Sequence, residues 1–198
     1  IALSPGITTG PRGQNPFGNP EKNNYFADLE KQAAELLSLA GYESGTVSQR
    51  ETATIAEKLG FSLHYVSDLP SSTRSISDTA NRRIYLPNPD AAFDPRTHLL
   101  TSLAPHVLGH DSPKDFHEFL QQRVEANYLA AAVLLPESEA VPVLTEAKRK
   151  RQLSVEYLRD MFGVGYETAA HRFTNLATEH LDLPVHFMKV HTSGTIHK

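Results

Sequence analysis

The run YLAAAVLL, residues 128–135, constrains the fold more than any other stretch of the chain. It ends the segment QQRVEANYLAAAVLLPE, which is apolar on every side from Leu129 onward, and a helix of that kind has to be surrounded by other elements. The run is far shorter than the roughly 20 residues a bilayer span needs, so its surroundings must be protein. With 198 residues the chain can bury a sizeable core. It has no cysteine, which excludes disulfides, thiolate zinc sites, iron–sulfur clusters and a cysteine nucleophile. A net charge of -4 supplies no general attraction to nucleic acid or anionic membrane, so any anion binding must be local. No signal-peptide pattern opens the chain. These features describe a soluble, cytoplasmic protein with no membrane partner.

The first 19 residues are rich in Gly and Pro and lack an apolar period, as expected of a linker or extended segment. Because the chain starts at Ile1 in that stretch, it reads as a piece of a longer polypeptide, with one domain over 20–198. Phe26, Leu29, Ala33, Leu36 and Leu37 share a helical face that ends at Gly41. A second helix starts at Ser48, with Glu51 completing a capping box, and stops at Gly60. FSLHYVSDL alternates as a strand does, and TRSISDTANRRIYLP reads as a hairpin turning near 78–81. Helical patterns follow at about 95–110, 114–135, 137–149, 154–162 and 165–181, and PVHFMKVHTSGTIHK reads as a terminal hairpin. The order of elements gives an α+β fold, with a small antiparallel sheet packed on a helical bundle.

Within LLTSLAPHVLGH, His106 and His110 are four residues apart, a spacing that puts both on one face of a helix about 5–6 Å apart. Glu125 follows at the edge of the buried helix, where a carboxylate needs a partner. The three make a His₂Glu set of the type catalytic zinc uses. The alternative is a buried, hydrogen-bonded polar cluster. Val107 stands where a zinc peptidase would carry its general base, and general-base help is worth ~10²–10⁴ in rate. Pro105 lacks an N–H and is expected to start or bend the helix. Neither Glu118 nor Asp111 has a spacing that makes it a substitute base.

HVLGH followed by EANYLAAAVLLPE resembles the pattern of the ImmA/IrrE metallopeptidase-like family, and more closely the central domain of the short-chain fatty acyl-CoA regulators of the RamB/PrpR group. GYETAAHRFTNL and LPVHFMKVHTSGTIHK extend the likeness over roughly 20–198. The resemblance implies a zincin-like scaffold; with Val107 in the base position and Pro105 before His106 it is expected to be degenerate and without peptidase activity, its His106, His110 and Glu125 pseudo-site holding no zinc and no firm cofactor. It implies an acyl-CoA effector bound in the old cleft. It also implies DNA binding through an N-terminal helix-turn-helix domain lying outside this sequence. An active zinc metallopeptidase and a peptide- or protein-interaction module are the alternatives, and a homo-oligomer is open.

For the thioester, Phe119, Arg123, Asn127 and Tyr128 offer aromatic surface and charge on one helix, beside Phe116, and Arg172 offers a phosphate-binding fork. The run KRKR, 148–151, is a further anion candidate or else a solvated helix end. A rival reading takes LSVEYLRDMFGVGYETAAHRFTNL as a helix-turn-helix whose His171, Arg172 and Asn175 read base edges.

Overall fold

A computed structural model describes residues 24–70, 73–88 and 94–185, and the backbone of two short strands at 189–190 and 196–197. The proposed linker, residues 1–19, lies outside the described residues. The chain divides into two compact units, one formed by Leu29–Pro136 and the other by the residues up to Asp28 together with Glu137–Lys198.

The Leu29–Pro136 unit takes in most of helix α1 (Ala27–Leu39), whose Leu29, Ala33, Leu36 and Leu37 are buried as the periodicity requires. Helix α2 (Gln49–Lys58) starts at the expected capping box: Ser48 N–H donates to Glu51 Oε2 at 2.6 Å, and Glu51 N–H to Ser48 Oγ at 3.4 Å. Strands β1 (Ser62–Val66), β2 (Ile76–Asp78) and β3 (Arg83–Pro87) form one sheet in the order β1-β3-β2. The hairpin pairing of β2 with β3 is antiparallel as expected, but β1 runs parallel to β3, so the sheet is mixed and not purely antiparallel. Burial accounts for the order. Ile84 and Leu86 of β3 are wholly buried while β1 and β2 are largely exposed, so β3 takes the centre and β2 passes to its far side.

Helix α3 (Pro95–Leu108) begins where Asp94 accepts from Arg96 N–H and Pro95 occupies the first turn, a position that tolerates its missing N–H. Arg96 closes a fork on the same carboxylate and reaches Val47 O, tying the start of α3 to the residue before α2's cap. Helix α4 (Phe116–Leu134) packs against α3. Every residue from Tyr128 to Leu134 is buried, as the apolar run demands, and Leu129, Val133 and Leu134 each contribute about 1.5–3 kcal/mol by leaving water.

The other unit contains α5 (Glu137–Arg149), α6 (Val155–Phe162), α7 (Tyr166–Leu181) and an antiparallel ribbon of β4 (Lys189–Val190) and β5 (Ile196–His197). Gly163 ends α6 in the left-handed region at φ 59, and α6 and α7 pack together around Leu158, Phe162, Ala169 and Leu176. Tyr25 donates to Glu137 at 2.5 Å and His180 meets the other oxygen of that carboxylate, so the start of α5 and the end of α7 share one anion. Among the described residues no single helix is long and apolar enough to cross a membrane.

Candidate functional site

The histidine pair sits at the end of α3, and the end of that helix decides its geometry. α3 runs through Pro105 without stopping, then terminates at Leu108 because Gly109 adopts φ 65. Both Gly109 N–H and His110 N–H donate to Pro105 O, the latter at 2.8 Å, which is the bonding of a left-handed helix stop. His110 therefore lies beyond the helix, and the four-residue spacing no longer puts it beside His106.

The two imidazoles take different partners. His110 Nε2 meets Glu125 Oε2 at 2.7 Å, with the His110 side chain 10 % exposed, and Gln121 donates to the other Glu125 oxygen at 2.9 Å. His106 is exposed and turns its ring edge-on to Phe61, centroids 5.1 Å apart, while the Arg82 guanidinium lies over the same Phe61 ring. Arg82 is fixed by donating to Leu59 O at 2.8 Å. Among the described residues no three His, Asp or Glu side chains form a group that could hold a metal ion. The donor set read from the motif thus does not fit zinc in this arrangement: two of its members are closed on each other and the third faces an aromatic ring. One polar atom is left over, since His110 Nδ1 is buried without a hydrogen-bond partner.

Helix α4 divides the remaining candidates by face. At about 100° per residue, Phe116, Phe119, Arg123 and Asn127 fall on one stripe, and Glu125 lies roughly opposite. The stripe is open. Phe116 is 72 % and Phe119 45 % exposed, their rings are stacked at 6.2 Å, and Arg123 is exposed with no ion pair among the described residues. Tyr128 sits about 120° round from Phe116, buried, with its hydroxyl donating to Glu30 at 2.5 Å. Arg172 belongs to the other unit and is wholly buried. The structure therefore brings Phe119, Arg123 and Asn127 together, and in this state Tyr128 and Arg172 are covered.

The helix-turn-helix reading of α6 and α7 meets the same obstacle. Arg172 and Asn175 are core residues, and Asn175 Nδ2 donates to Asn24 O at 2.6 Å, so neither is presented to a base edge. The run 148–151 is largely spoken for: Lys148 donates to Leu181 O, and Arg149 forks onto Glu146.

Phe61, Arg82 and Glu30 were not singled out from sequence, since each acts through a long-range contact that spacing does not encode. The end of α3 was marked in the sequence by Gly109.

A scaffold in which a helix that closes within His-Val-Leu-Gly-His packs on a helix carrying Glu125, beside a three-stranded sheet, is that of a zincin-like domain. The chain belongs to the IrrE N-terminal-like domain family, Peptidase_M78, whose model matches residues 56–174. Among curated relatives it is 26 % identical over 188 residues to the HTH-type transcriptional regulator PrpR of Mycobacterium tuberculosis, covering 90 % of this chain and 38 % of that protein. A solved Mycobacterium tuberculosis transcriptional regulator superposes with a TM-score of 0.67 at 20 % identity, over 87 % of this chain and 55 % of that one, a likeness of fold. The family resemblance carried by HVLGH and EANYLAAAVLLPE is borne out. The chain spans 38 % of the length of the curated relative it matches.

Proposed function

We propose that this chain is the effector-sensing part of a transcriptional regulator, that its effector is a short-chain acyl-CoA thioester, and that it does not hydrolyse peptides. One observation carries the reading: the residues of the peptidase motif are committed to other contacts, with Val107 in the base position and His110 joined to Glu125. A relative named as a transcriptional regulator supports the regulatory setting.

For the thioester, the Phe116–Phe119 stack offers a face to adenine, and Arg123 with Asn127 offers donors to the phosphates. Tyr128, buried on the same helix, would enter contact only if binding uncovers it. That requirement gives the ligand a differential affinity for two states, which any effector needs in order to shift an equilibrium. DNA binding belongs, in this reading, to a helix-turn-helix domain of the longer protein.

Isothermal titration of the chain with acetyl-, propionyl- and butyryl-CoA tests the reading. A saturable heat with at least one of them, weakened about tenfold by Arg123→Ala, is expected. Heats equal to dilution for all three would remove it.

A further inference from the structure

The unit that contains Glu137–Lys198 holds a half-open pocket of about 470 Å³ between α5, the turn after it and α6. This is within the ~300–1,000 Å³ typical of small-molecule sites. Pro142, Val143 and Ala147 line it with apolar surface, and Lys150, Gln152 and Tyr157 carry hydrogen-bond donors. The proposed acyl-CoA reading uses none of these residues.

The charge around the cavity follows from the basic run. Glu146, also in its lining, accepts a two-pronged bond from Arg149, Nε to Oε2 at 2.8 Å and Nη2 to Oε1 at 2.7 Å. Lys150 Nζ stands 3.1 Å from Oε1 of the same carboxylate. Hydrogen bonds from Arg149 first and Lys150 second pull the Glu146 carboxyl down to about 2, so it is anionic at any ordinary pH. A bidentate guanidinium already satisfies that anion, which leaves the Lys150 ammonium in surplus with further N–H groups to donate. Lys148 is engaged with Leu181 O and does not contribute.

We infer that this cavity is a binding site for a small amphipathic monocarboxylate. Its carboxylate meets Lys150, Gln152 and the Tyr157 hydroxyl, and its alkyl or aryl body lies on Pro142, Val143 and Ala147. A dianion without an apolar body would leave the floor wet, and a neutral ligand would leave the net positive charge of the Arg149, Glu146 and Lys150 group unmatched. Lys150 is 54 % exposed and Tyr157 50 % exposed, so both can be changed without touching the core.

The test is amide chemical-shift titration of the full 198-residue chain with benzoate, butyrate, benzyl alcohol and inorganic phosphate. Expected are saturable shifts confined to residues 142–157 with benzoate or butyrate, and binding weaker by about tenfold or more for benzyl alcohol and phosphate. Lys150→Met should weaken the carboxylates about tenfold with an otherwise unchanged spectrum, Lys150→Arg should retain binding, and Tyr157→Phe should weaken it by a smaller factor. The inference is overturned if no carboxylate saturates, if benzyl alcohol binds as well as benzoate, or if Lys150→Met binds as the parent does. Arg123→Ala should leave these shifts unchanged, which separates this site from the acyl-CoA one.

Discussion

His110 Nε2 and Glu125 Oε2 stand 2.7 Å apart, joining the residue just past the end of α3 to the middle of α4. The pair lies fifteen residues apart in sequence and ties together the two helices that pack most extensively in their unit. Since His110 Nδ1 is already buried without a partner, losing Glu125 leaves the imidazole with neither nitrogen satisfied. Glu125→Ala should therefore destabilise the chain by about 1–3 kcal/mol, the cost of an orphaned buried polar group. The double variant His110→Leu, Glu125→Leu should cost less than the sum of its single changes, with a coupling of roughly 0.5–3 kcal/mol. Urea unfolding of the four proteins measures it. Additive single effects would show that the contact contributes nothing.

The stop at Gly109 sets where His110 goes, and it can be tested independently. A Cβ at this position would meet nothing within 4 Å, so Gly109→Ala has no steric clash and its cost is that of forcing φ 65 on an L-residue. That cost is about 1–2 kcal/mol. Gly109→Asn should recover part of it, because asparagine enters the left-handed region more readily. Thermal or urea unfolding would rank the three as Gly, Asn, Ala. A Gly109→Ala protein as stable as the parent would mean that α3 is able to continue through 109.

Val107→Glu restores the missing letter of the peptidase motif without restoring its geometry. His106 remains against Phe61 and His110 remains bonded to Glu125, so the new carboxylate has no paired histidines beside it. The expected outcome is a protein without stoichiometric zinc and without chelator-sensitive cleavage of a fluorogenic peptide. Elemental analysis and a peptidase assay check it. Zinc at one equivalent, with cleavage abolished by chelation, would show that the ligands converge readily and that the base alone was absent.

Much of the fold could be read from local signals, because local physics determines it. Ser48 with Glu51 marked the start of α2, Gly41 and Gly60 marked ends, and the buried half of α4 followed from its composition. The direction of β1 could not be read in that way. It depends on which strand is most completely covered, and that is settled by the helices laid on the sheet. The histidine site shows a different failure. The His-x-x-x-His spacing predicts a continuous helix, but the glycine directly before His110, Gly109, is the residue type that most often closes one. Face assignment around α4 was likewise available from the 3.6-residue period, which separates Tyr128 from the Phe119, Arg123 and Asn127 stripe. What no spacing could supply were the long-range partners: Glu30 for Tyr128 and Phe61 for His106.

His98, half-buried on α3, gives the unit a pH dependence of known sign. Burial is the main cause holding its imidazole below the ordinary 6.5, the nearby Arg74 charge adds to the depression, and Asp94 opposes it. The folded state thus binds this proton less tightly than the unfolded chain does, and stability rises with pH where the two differ. His98 contributes fully above pH 6.5, and the contribution is lost as pH falls from there through the folded-state value. His98→Gln should flatten the decline in Tm between pH 7.5 and 5, whatever it does to absolute stability. Arg74→Gln should shrink the decline without abolishing it, because desolvation remains. Differential scanning calorimetry at four or five pH values gives the slopes, and the other histidines cancel in the comparison between variants. If parent and His98→Gln lose Tm in parallel, the acid sensitivity originates elsewhere and folding leaves the proton affinity of this imidazole unchanged.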